Sequence, residues 1–309
     1  MPMAKVFLAV IFFLFRPDFL PAQEGGGRYI DETLQMELAD QFFKEGDFYG
    51  AIREYKRFLF FFPHSARAEE AQLKIAKSYS NENKWDEAIS ACDDLMKKFP
   101  ASPLKAEAFL LKGFGFAGKR QYPQARFFFE KAQEVSPGTL IADEAQLRIA
   151  RTYLKEEKWK EAAEEFRKVD KNSQLYPKGE HLAQGLDRIQ EVPQKSPLAA
   201  GVLSALLPGA GQVYCERYGE AAIAFLLNAV FIWGMVASFE REDYVVGGIL
   251  TFFELGWYSA NIVNAVNRAR KYNREKRLDY IDDLERGSHP STGLSLQRKT
   301  PLLVLHYAF

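Results

Sequence analysis

Apolar side chains recur through residues 28–192 at the three-and-four spacing of amphipathic helices, and the arrangement repeats every 37 residues. An alanine marks each unit: Ala51, Ala88, Ala125 and Ala162. Four residues later comes an aromatic side chain or a cysteine: Tyr55, Cys92, Phe129 and Phe166. Twelve residues before the alanine stands a small residue: Ala39, Ala76, Gly113 and Ala150. Twelve residues after it comes proline in three units, and Gln174 breaks the series: Pro63, Pro100 and Pro137.

Each unit predicts two helices joined by a polar turn, with the second helix ending at the proline because proline lacks the amide that the next turn needs. Small residues at matched positions let the two helices approach closely, and the aromatic side chain fills the space above them. One pair cannot bury its own apolar face, whereas four stacked pairs can. Residues 28–192 therefore predict a helical solenoid of four repeats with a capping helix.

The order small residue, aromatic, alanine, aromatic, proline resembles the tetratricopeptide repeat over about residues 30–176, although the period is 37 where that family usually has 34. Exported repeats of this length are similar to those of the bacterial outer-membrane assembly lipoprotein and the Tol-Pal coordinator protein. The acylated cysteine of that lipoprotein is absent here. The resemblance implies a scaffold that binds a protein or peptide, without catalysis.

In tetratricopeptide arrays the first helix of each pair faces a groove that holds a peptide or a partner helix. The groove positions implied by the resemblance are Asp40, Phe43, Lys44, Lys77, Asn81, Phe114, Arg151 and Lys155. This set leans basic, which favours an acidic or carboxylate-bearing ligand segment. The alternative is that these residues are solvated helix faces.

The two ends of the chain are apolar. Residues 1–23 combine an early cation, Lys5, with a ten-residue apolar run and a small residue, Ala22, for cleavage, which predicts an export signal peptide. Further along, residues 221–239 carry no charge and residues 244–263 carry only Glu254, and each segment is long enough to cross a bilayer. A short acidic loop separates them, so a transmembrane helical hairpin is predicted.

The hairpin raises a conflict of orientation. Six cations crowd just past the second segment and predict a cytoplasmic end: Arg268, Arg270, Lys271, Arg274, Lys276 and Arg277. The export signal places the repeats on the opposite side of the membrane from that end. A third passage by residues 197–214, a segment broken by Pro208, Gly209 and Gly211, would resolve the conflict. A re-entrant or interfacial segment is the alternative.

Residues 196–275 resemble a group of small bacterial membrane domains whose two spans follow a Pro-Gly-x-Gly-Gln-x-Tyr turn. The resemblance implies a membrane location and no particular activity. Polar residues inside the spans are Asn228, Glu254 and Asn261. A structural contact of Glu254 with Asn228 or with a neighbouring subunit is the favoured role, and a proton- or partner-sensing site is the alternative.

Other classes of function have little support. Forty-one basic and forty-one acidic residues balance, so nucleic acid is not an expected partner. The two cysteines and four histidines lack ligand spacing, the Gly209 turn has no phosphate-binding lysine, and no catalytic motif occurs. No cofactor or metal is therefore expected. Membrane lipid is an expected partner, and both a homo-oligomer and a hetero-oligomer are compatible with the sequence.

The fold class predicted is all-α, a tetratricopeptide-type solenoid followed by a transmembrane helical hairpin. Its domains are a signal peptide (1–23), the repeats (28–192), a membrane domain with two or three helices (196–277) and a tail (278–309). The predicted protein is an envelope scaffold anchored in the inner membrane with periplasmic repeats, the outer membrane being the alternative. A subunit of an envelope transport or outer-membrane assembly machine is the second hypothesis.

Overall fold

The computed structural model describes residues 31–287, and this part of the chain is helical throughout, with no β-strand. The predicted signal peptide and the tail beyond Gly287 lie outside the described residues. The described chain forms two compact units that divide between Gln121 and Tyr122. The first unit holds two repeats and the first helix of a third; the second unit holds the remaining elements.

The helices follow the predicted repeat. The first unit contains α1 (Glu32–Glu45), α2 (Phe48–Phe61), α3 (Ala68–Asn81), α4 (Trp85–Lys98) and α5 (Lys105–Gly118). The second contains α6 (Tyr122–Val135), α7 (Leu140–Lys155), α8 (Trp159–Phe166), α9 (Tyr176–Asp187) with a short 3₁₀ turn (Arg188–Glu191), α10 (Pro197–Leu206), α11 (Ala210–Tyr214), α12 (Tyr218–Glu240) and α13 (Tyr244–Glu285).

Helix ends repeat with the same period. The turn after each first helix uses a left-handed residue, at Gly46 (φ 80°), Asn83 (57°), Arg120 (60°) and Glu157 (60°). Only the first of these is glycine, so three repeats hold an ordinary side chain in a conformation that glycine adopts without strain. The prolines stand two residues beyond the second helices, where proline stops a helix. The fourth repeat lacks its proline, and its second helix, α8, is only 8 residues long.

The core of the first unit consists of the residues that the 37-residue period marks. Tyr55 and Phe58 of α2 and Leu95 of α4 are fully buried, with alanines between them. A second periodic feature is a buried glutamine that bonds to the backbone of the following helix. Gln35 Nε2 lies 3.3 Å from the Glu54 carbonyl oxygen, and Gln72 Nε2 lies 3.1 Å from that of Ala91. These hydrogen bonds fasten the first helix of each pair to the second.

The same bond recurs in the second unit, where Gln146 Nε2 lies 2.9 Å from the Glu165 carbonyl oxygen. Gln35, Gln72 and Gln146 all fit the 37-residue period, and Phe109 stands at the equivalent place in the third repeat. This glutamine is a structural residue that the sequence analysis missed, although the period itself marks it.

Replacing Gln72 with alanine will destabilise the protein, because it removes a buried side-chain hydrogen bond between the two helices of the repeat, at a cost of about 0.5–1.5 kcal/mol. Thermal unfolding of the full chain in detergent measures the effect. Gln41→Ala is the matched control, since Gln41 is exposed and bonds only to Glu45, one turn along the same helix. Equal midpoints for the two variants would show that the buried bond contributes nothing.

Two hydrophobic cores lie in the described part of the second unit. Leu147, Phe166 and Leu182 pack with Ile281 and Leu284, so the end of α13 joins the core of the last repeat. The other core joins residues 197–215, called the re-entrant segment because the chain turns back within it, to the middle of α13: Ala200, Cys215, Ala265 and Ala269. α13 therefore runs as one 42-residue helix from the apolar hairpin into the repeat core.

Candidate functional site: a repeat surface and an inside-out hairpin

Asp40 on α1 links the first repeat to the second. Its carboxylate accepts hydrogen bonds from the Tyr55 hydroxyl and the Lys74 ammonium, both at 2.6 Å, and lies 3.4 Å from Arg67 Nη2. Burial of the Tyr55 ring, followed by its hydrogen bond to Asp40, raises the pKa of the Tyr55 phenol well above its usual value. Asp40, a predicted groove residue, is thus engaged by its own chain.

Of the two predicted groove lysines in the first unit, one forms an ion pair with a carboxylate and the other does not. Lys77 Nζ lies 2.6 Å from a carboxylate oxygen of Glu107, and Asn81 Nδ2 donates to the Lys77 carbonyl oxygen at 2.9 Å. Lys44, at the end of α1, is exposed and has no ion pair within residues 31–287. The basic character of this surface is therefore weaker than the sequence predicts.

The predicted aromatic groove residues of the first unit are half-buried. Phe43 packs edge-on against Phe48, with ring centroids 5.5 Å apart and an interplanar angle of 75°. Both Phe43 and Phe114 pack against the core of this unit while keeping part of each ring accessible. They supply apolar contact area for a ligand.

In the second unit, the predicted groove residue Arg151 already has a carboxylate partner. Its Nε lies 3.1 Å from an oxygen of Glu285, the last residue of α13. Nearby on α9, burial, followed by the repulsion of Arg151, lowers the pKa of the Lys178 ammonium. Lys155 is exposed and has no ion pair among the described residues. The chain's own helix thus satisfies Arg151, and Lys155 stays accessible.

Helices α12 and α13 form a hairpin with polar residues inside and apolar residues outside. Asn228 is fully buried, while Glu254 and Asn261 are 6% and 7% exposed. Large apolar side chains on the outer faces are about half exposed or more: Ile223, Leu226, Val230, Trp233, Val245, Ile249, Phe252, Phe253 and Leu255. This is the reverse of the pattern in water-soluble helices.

The inward polar groups are incompletely satisfied. Asn228 Nδ2 donates to the Ala224 carbonyl at 2.6 Å, but Asn228 Oδ1, both carboxyl oxygens of Glu254 and Asn261 Nδ2 have no partner within the described residues. Glu254 and Asn228 thus make no hydrogen bond with each other, and the structural contact expected for Glu254, with Asn228 or with a neighbouring subunit, stays a prediction. The hairpin interior keeps unused acceptors, which a donor group could meet.

Residues 197–214 turn back on themselves. α10 rises about 15 Å over its ten residues, and Gly209, at φ +89°, reverses the chain into α11. The Ser196 amide donates to the Tyr214 hydroxyl at 3.0 Å, so the two ends of the segment meet. Residues 197–214 therefore do not form one continuous helix, and the third passage and its re-entrant or interfacial alternative stay predictions.

A polar cluster holds the re-entrant segment on α13. Gln212 Nε2 donates to Asn261 Oδ1 at 2.7 Å, and the Ser204 hydroxyl donates to Gln212 Oε1 at 3.0 Å. The Gly211 amide donates to Ser204 Oγ at 3.1 Å. The sequence analysis missed Gln212, because its partner lies 49 residues away. Its place in the Gly-Gln-x-Tyr turn was the available signal.

The second half of α13 docks on the last repeat. Leu284 lies where a Cβ at Gly185 would stand, and the Tyr280 hydroxyl donates to the Gly185 carbonyl at 2.9 Å. Asn273 clamps the backbone of Lys195, accepting from its amide at 2.7 Å and donating to its carbonyl at 2.9 Å. The helix thus continues through residue 277, where the sequence analysis placed the start of a tail.

Length and composition suit one described helix, α12, to crossing a membrane, and only 6% of its most apolar window is buried. The second predicted segment lies in the first half of α13 and contains Glu254. Metal-binding clusters of His, Cys, Asp or Glu do not occur within residues 31–287. Cys92 and Cys215 are free thiols, and burial raises the pKa of each.

Two sequence families match parts of the chain. Residues 33–126 match the family described as an outer membrane lipoprotein, YfiO, and residues 144–173 match a tetratricopeptide repeat family. No curated protein sequence matches.

Solved structures give weaker similarity. The apo form of RapI is 14% identical, with a TM-score of 0.41, over 78% of this chain and 84% of that one. A tetratricopeptide repeat protein from Parabacteroides merdae is also 14% identical, with a TM-score of 0.41, over 82% and 97% of the two chains. The sequence-family matches support a tetratricopeptide-type protein of the bacterial envelope, whose repeats belong to a class that binds proteins or peptides.

Proposed function

We propose that this protein is a non-enzymatic scaffold of the bacterial envelope, which binds a protein or peptide through its repeats and is held in a membrane by α12 and the first half of α13. The observation that carries the proposal is the inside-out hairpin. An apolar face of this extent, on helices whose buried residues are polar, is unfavourable in water and favourable in hydrocarbon.

In the proposed arrangement, both ends of the hairpin lie on the same side of the membrane. The 20 residues 244–263 span about 30 Å as a helix, the thickness of a hydrocarbon core, and the 22 that follow extend about 33 Å beyond it. Because the later residues pack on the last repeat, that repeat and the end of α13 share a side. The loop Arg241–Asp243 then lies on the other side.

We place the repeats in the periplasm, at the inner membrane, with the outer membrane as the alternative. The cluster of cations after residue 263 then lies on the repeat side, against the usual charge bias. Several of these cations have a different role, since Arg268 pairs with Glu220 and Arg274 with Glu157, both at 2.6 Å. Packing of α13 on α12 therefore accounts for Arg268, and its docking on the last repeat accounts for Arg274.

For the partner, the accessible predicted groove residues are the best starting points: the exposed Lys44 and Lys155, and the half-buried Phe43 and Phe114. Acidic side chains of a ligand would pair with Lys44 in the first unit or with Lys155 in the second, each considered by itself. Replacing Lys44 or Lys155 with a photo-crosslinking residue should link the chain to one envelope protein in cells. Lys97, an exposed residue of the second helix of its repeat, is the control position.

Capture at both groove positions and not at position 97 would support the groove. Equal crosslinking of the partner at all three positions, or crosslinking at position 97 alone, would contradict the groove.

Membrane anchoring is measured in the same cells by washing membranes with alkaline carbonate. Recovery of the chain in the wash, soluble without detergent, would contradict the anchor.

The unsatisfied polar groups of the hairpin favour a second candidate, a subunit of an envelope transport or assembly machine. Glu254 would then meet a donor from cargo or from another subunit. Replacing Glu254 with leucine should abolish transport under that hypothesis, with the chain still inserted. Full assembly and activity of Glu254→Leu would remove this candidate.

A further inference from the structure

The outward face of α13 changes from apolar to cationic within a few turns. Phe252, Phe253 and Val263 are more than half exposed. Arg270 and Lys271 follow on the exposed face, while Ala265, Ala269 and Asn273 form the buried face of the same stretch. Arg270 lies about 10 Å along the helix from Val263, which is the depth of a lipid headgroup layer next to the hydrocarbon.

Unlike Arg268 and Arg274, Arg270 and Lys271 make no close ion pair with a carboxylate of the described residues. Arg270 has no ion pair within residues 31–287, and Lys271 Nζ lies 3.8 Å from Glu275, at the limit of contact. Glu275 also lies 3.4 Å from Arg217 Nη2, so its charge is shared. Arg270 and Lys271 therefore keep most of their charge available to an outside anion.

The surroundings suit an interface between lipid and water. Tyr218, at the start of α12, is 66% exposed. Lys195 Nζ lies 5.0 Å and 5.3 Å from the ring centroids of Tyr214 and Tyr272. Aromatic rings and cations at the end of an apolar segment are typical of the headgroup level of membranes. Anionic headgroups attract such cations, and the attraction adds up over neighbouring charges.

We propose that Arg270 and Lys271 form a binding surface for the headgroups of anionic phospholipids. The proposal rests on the membrane anchoring proposed above, and it names a lipid class that the anchor alone does not require. The acyl chains of the bound lipid lie along Phe252, Phe253 and Val263, and its phosphate meets the two cations. Selection of lipid at this surface holds the last repeat close to the membrane.

The test uses the full chain in nanodiscs of equal parts phosphatidylcholine and phosphatidylglycerol. Native mass spectrometry counts the lipids that stay bound as the disc is removed. The wild type should retain phosphatidylglycerol several-fold more than phosphatidylcholine. Arg270→Gln with Lys271→Gln should reduce that ratio by about fivefold or more, on the usual contribution of a cation near an anionic surface.

The control is Lys97→Gln with Lys98→Gln, which removes the same charge from two adjacent exposed residues of α4. It should retain the wild-type ratio. Equal ratios for the two double variants, or no preference in the wild type, would overturn the proposal. Loss of the preference in 10-fold excess free phosphate over lipid would assign the surface to free phosphate, which also overturns it.

The outcome separates the two proposals. Wild-type chain that enters nanodiscs of phosphatidylcholine alone but shows no anionic preference is anchored without a selective headgroup surface. Chain that stays soluble and monodisperse outside the nanodiscs contradicts both the anchor and the headgroup surface.

Discussion

Replacing Gly211 with alanine is expected to disrupt the re-entrant segment and to lower the thermal midpoint of the protein in detergent. A Cβ at this position would stand 2.1 Å from the Ala200 carbonyl oxygen, 2.5 Å from Ser204 Oγ and 2.7 Å from the Ala265 Cβ. The carbonyl belongs to a packed helix and cannot move away alone. The free energy of unfolding is expected to fall by about 3 kcal/mol or more. The hydrogen bonds of Ser204 and Gln212 are also lost, because they depend on the same close packing.

Gly219→Ala is the matched control, because a Cβ at Gly219 meets no atom within 4 Å. In a helix, alanine is favoured over glycine by about 0.5–1 kcal/mol, so this variant should match or slightly exceed the wild type. Circular dichroism during heating gives both midpoints. A Gly211→Ala midpoint within a degree of the control would mean that α10 and α11 do not pack on α13 as described.

Replacing Leu284 with alanine is expected to release the second half of α13 from the last repeat. Leu284 is 3% exposed and fills the space over Gly185. Truncation of a buried leucine costs about 2–5 kcal/mol, and Ile281 is the other buried apolar side chain at this end of α13. The ion pair of Arg151 with Glu285 should open at the same time.

Tryptic cleavage at Arg277 and Arg286 reports the release, because proteases cut helices that open. The Leu284→Ala chain should be cut there at least tenfold faster than the wild type. Leu278→Ala is the control on the same helix, where the side chain is 39% exposed and its loss should change the rate little. Equal rates for Leu284→Ala and Leu278→Ala would show that α13 is not held by Leu284.

Periodicity predicted the repeat fold because the constraints are local and recur. A small residue, an aromatic ring and a proline at fixed offsets specify a helix pair, and four copies leave little ambiguity. The short α8, which ends at Phe166, was not predicted, because the missing proline at Gln174 removes a helix stop and does not shorten a helix. The repeated Gln72 bond was equally local, and the same period would have predicted it.

The contacts of Arg151 and of the cations after residue 263 were not predicted, because their partners are distant in sequence. Nothing near Arg151 indicates that Glu285, 134 residues later, will satisfy it. The cations after residue 263 were interpreted as setting the orientation of the hairpin in the membrane. One of them, Arg274, instead contacts Glu157, 117 residues earlier in the chain. Charge counts alone do not distinguish a cation that orients a span from one that docks a helix.

Site-directed labelling tests the arrangement of the hairpin most directly. Single cysteines at Ser173, Leu278 and Asp243, with the buried Cys92 and Cys215 left in place, are treated in cells with an impermeant maleimide. The account predicts that positions 173 and 278 are labelled together, once the outer membrane is opened. It predicts that position 243 is labelled only when the membrane holding the hairpin is also broken. Labelling of all three positions at the same step would contradict a membrane-spanning hairpin.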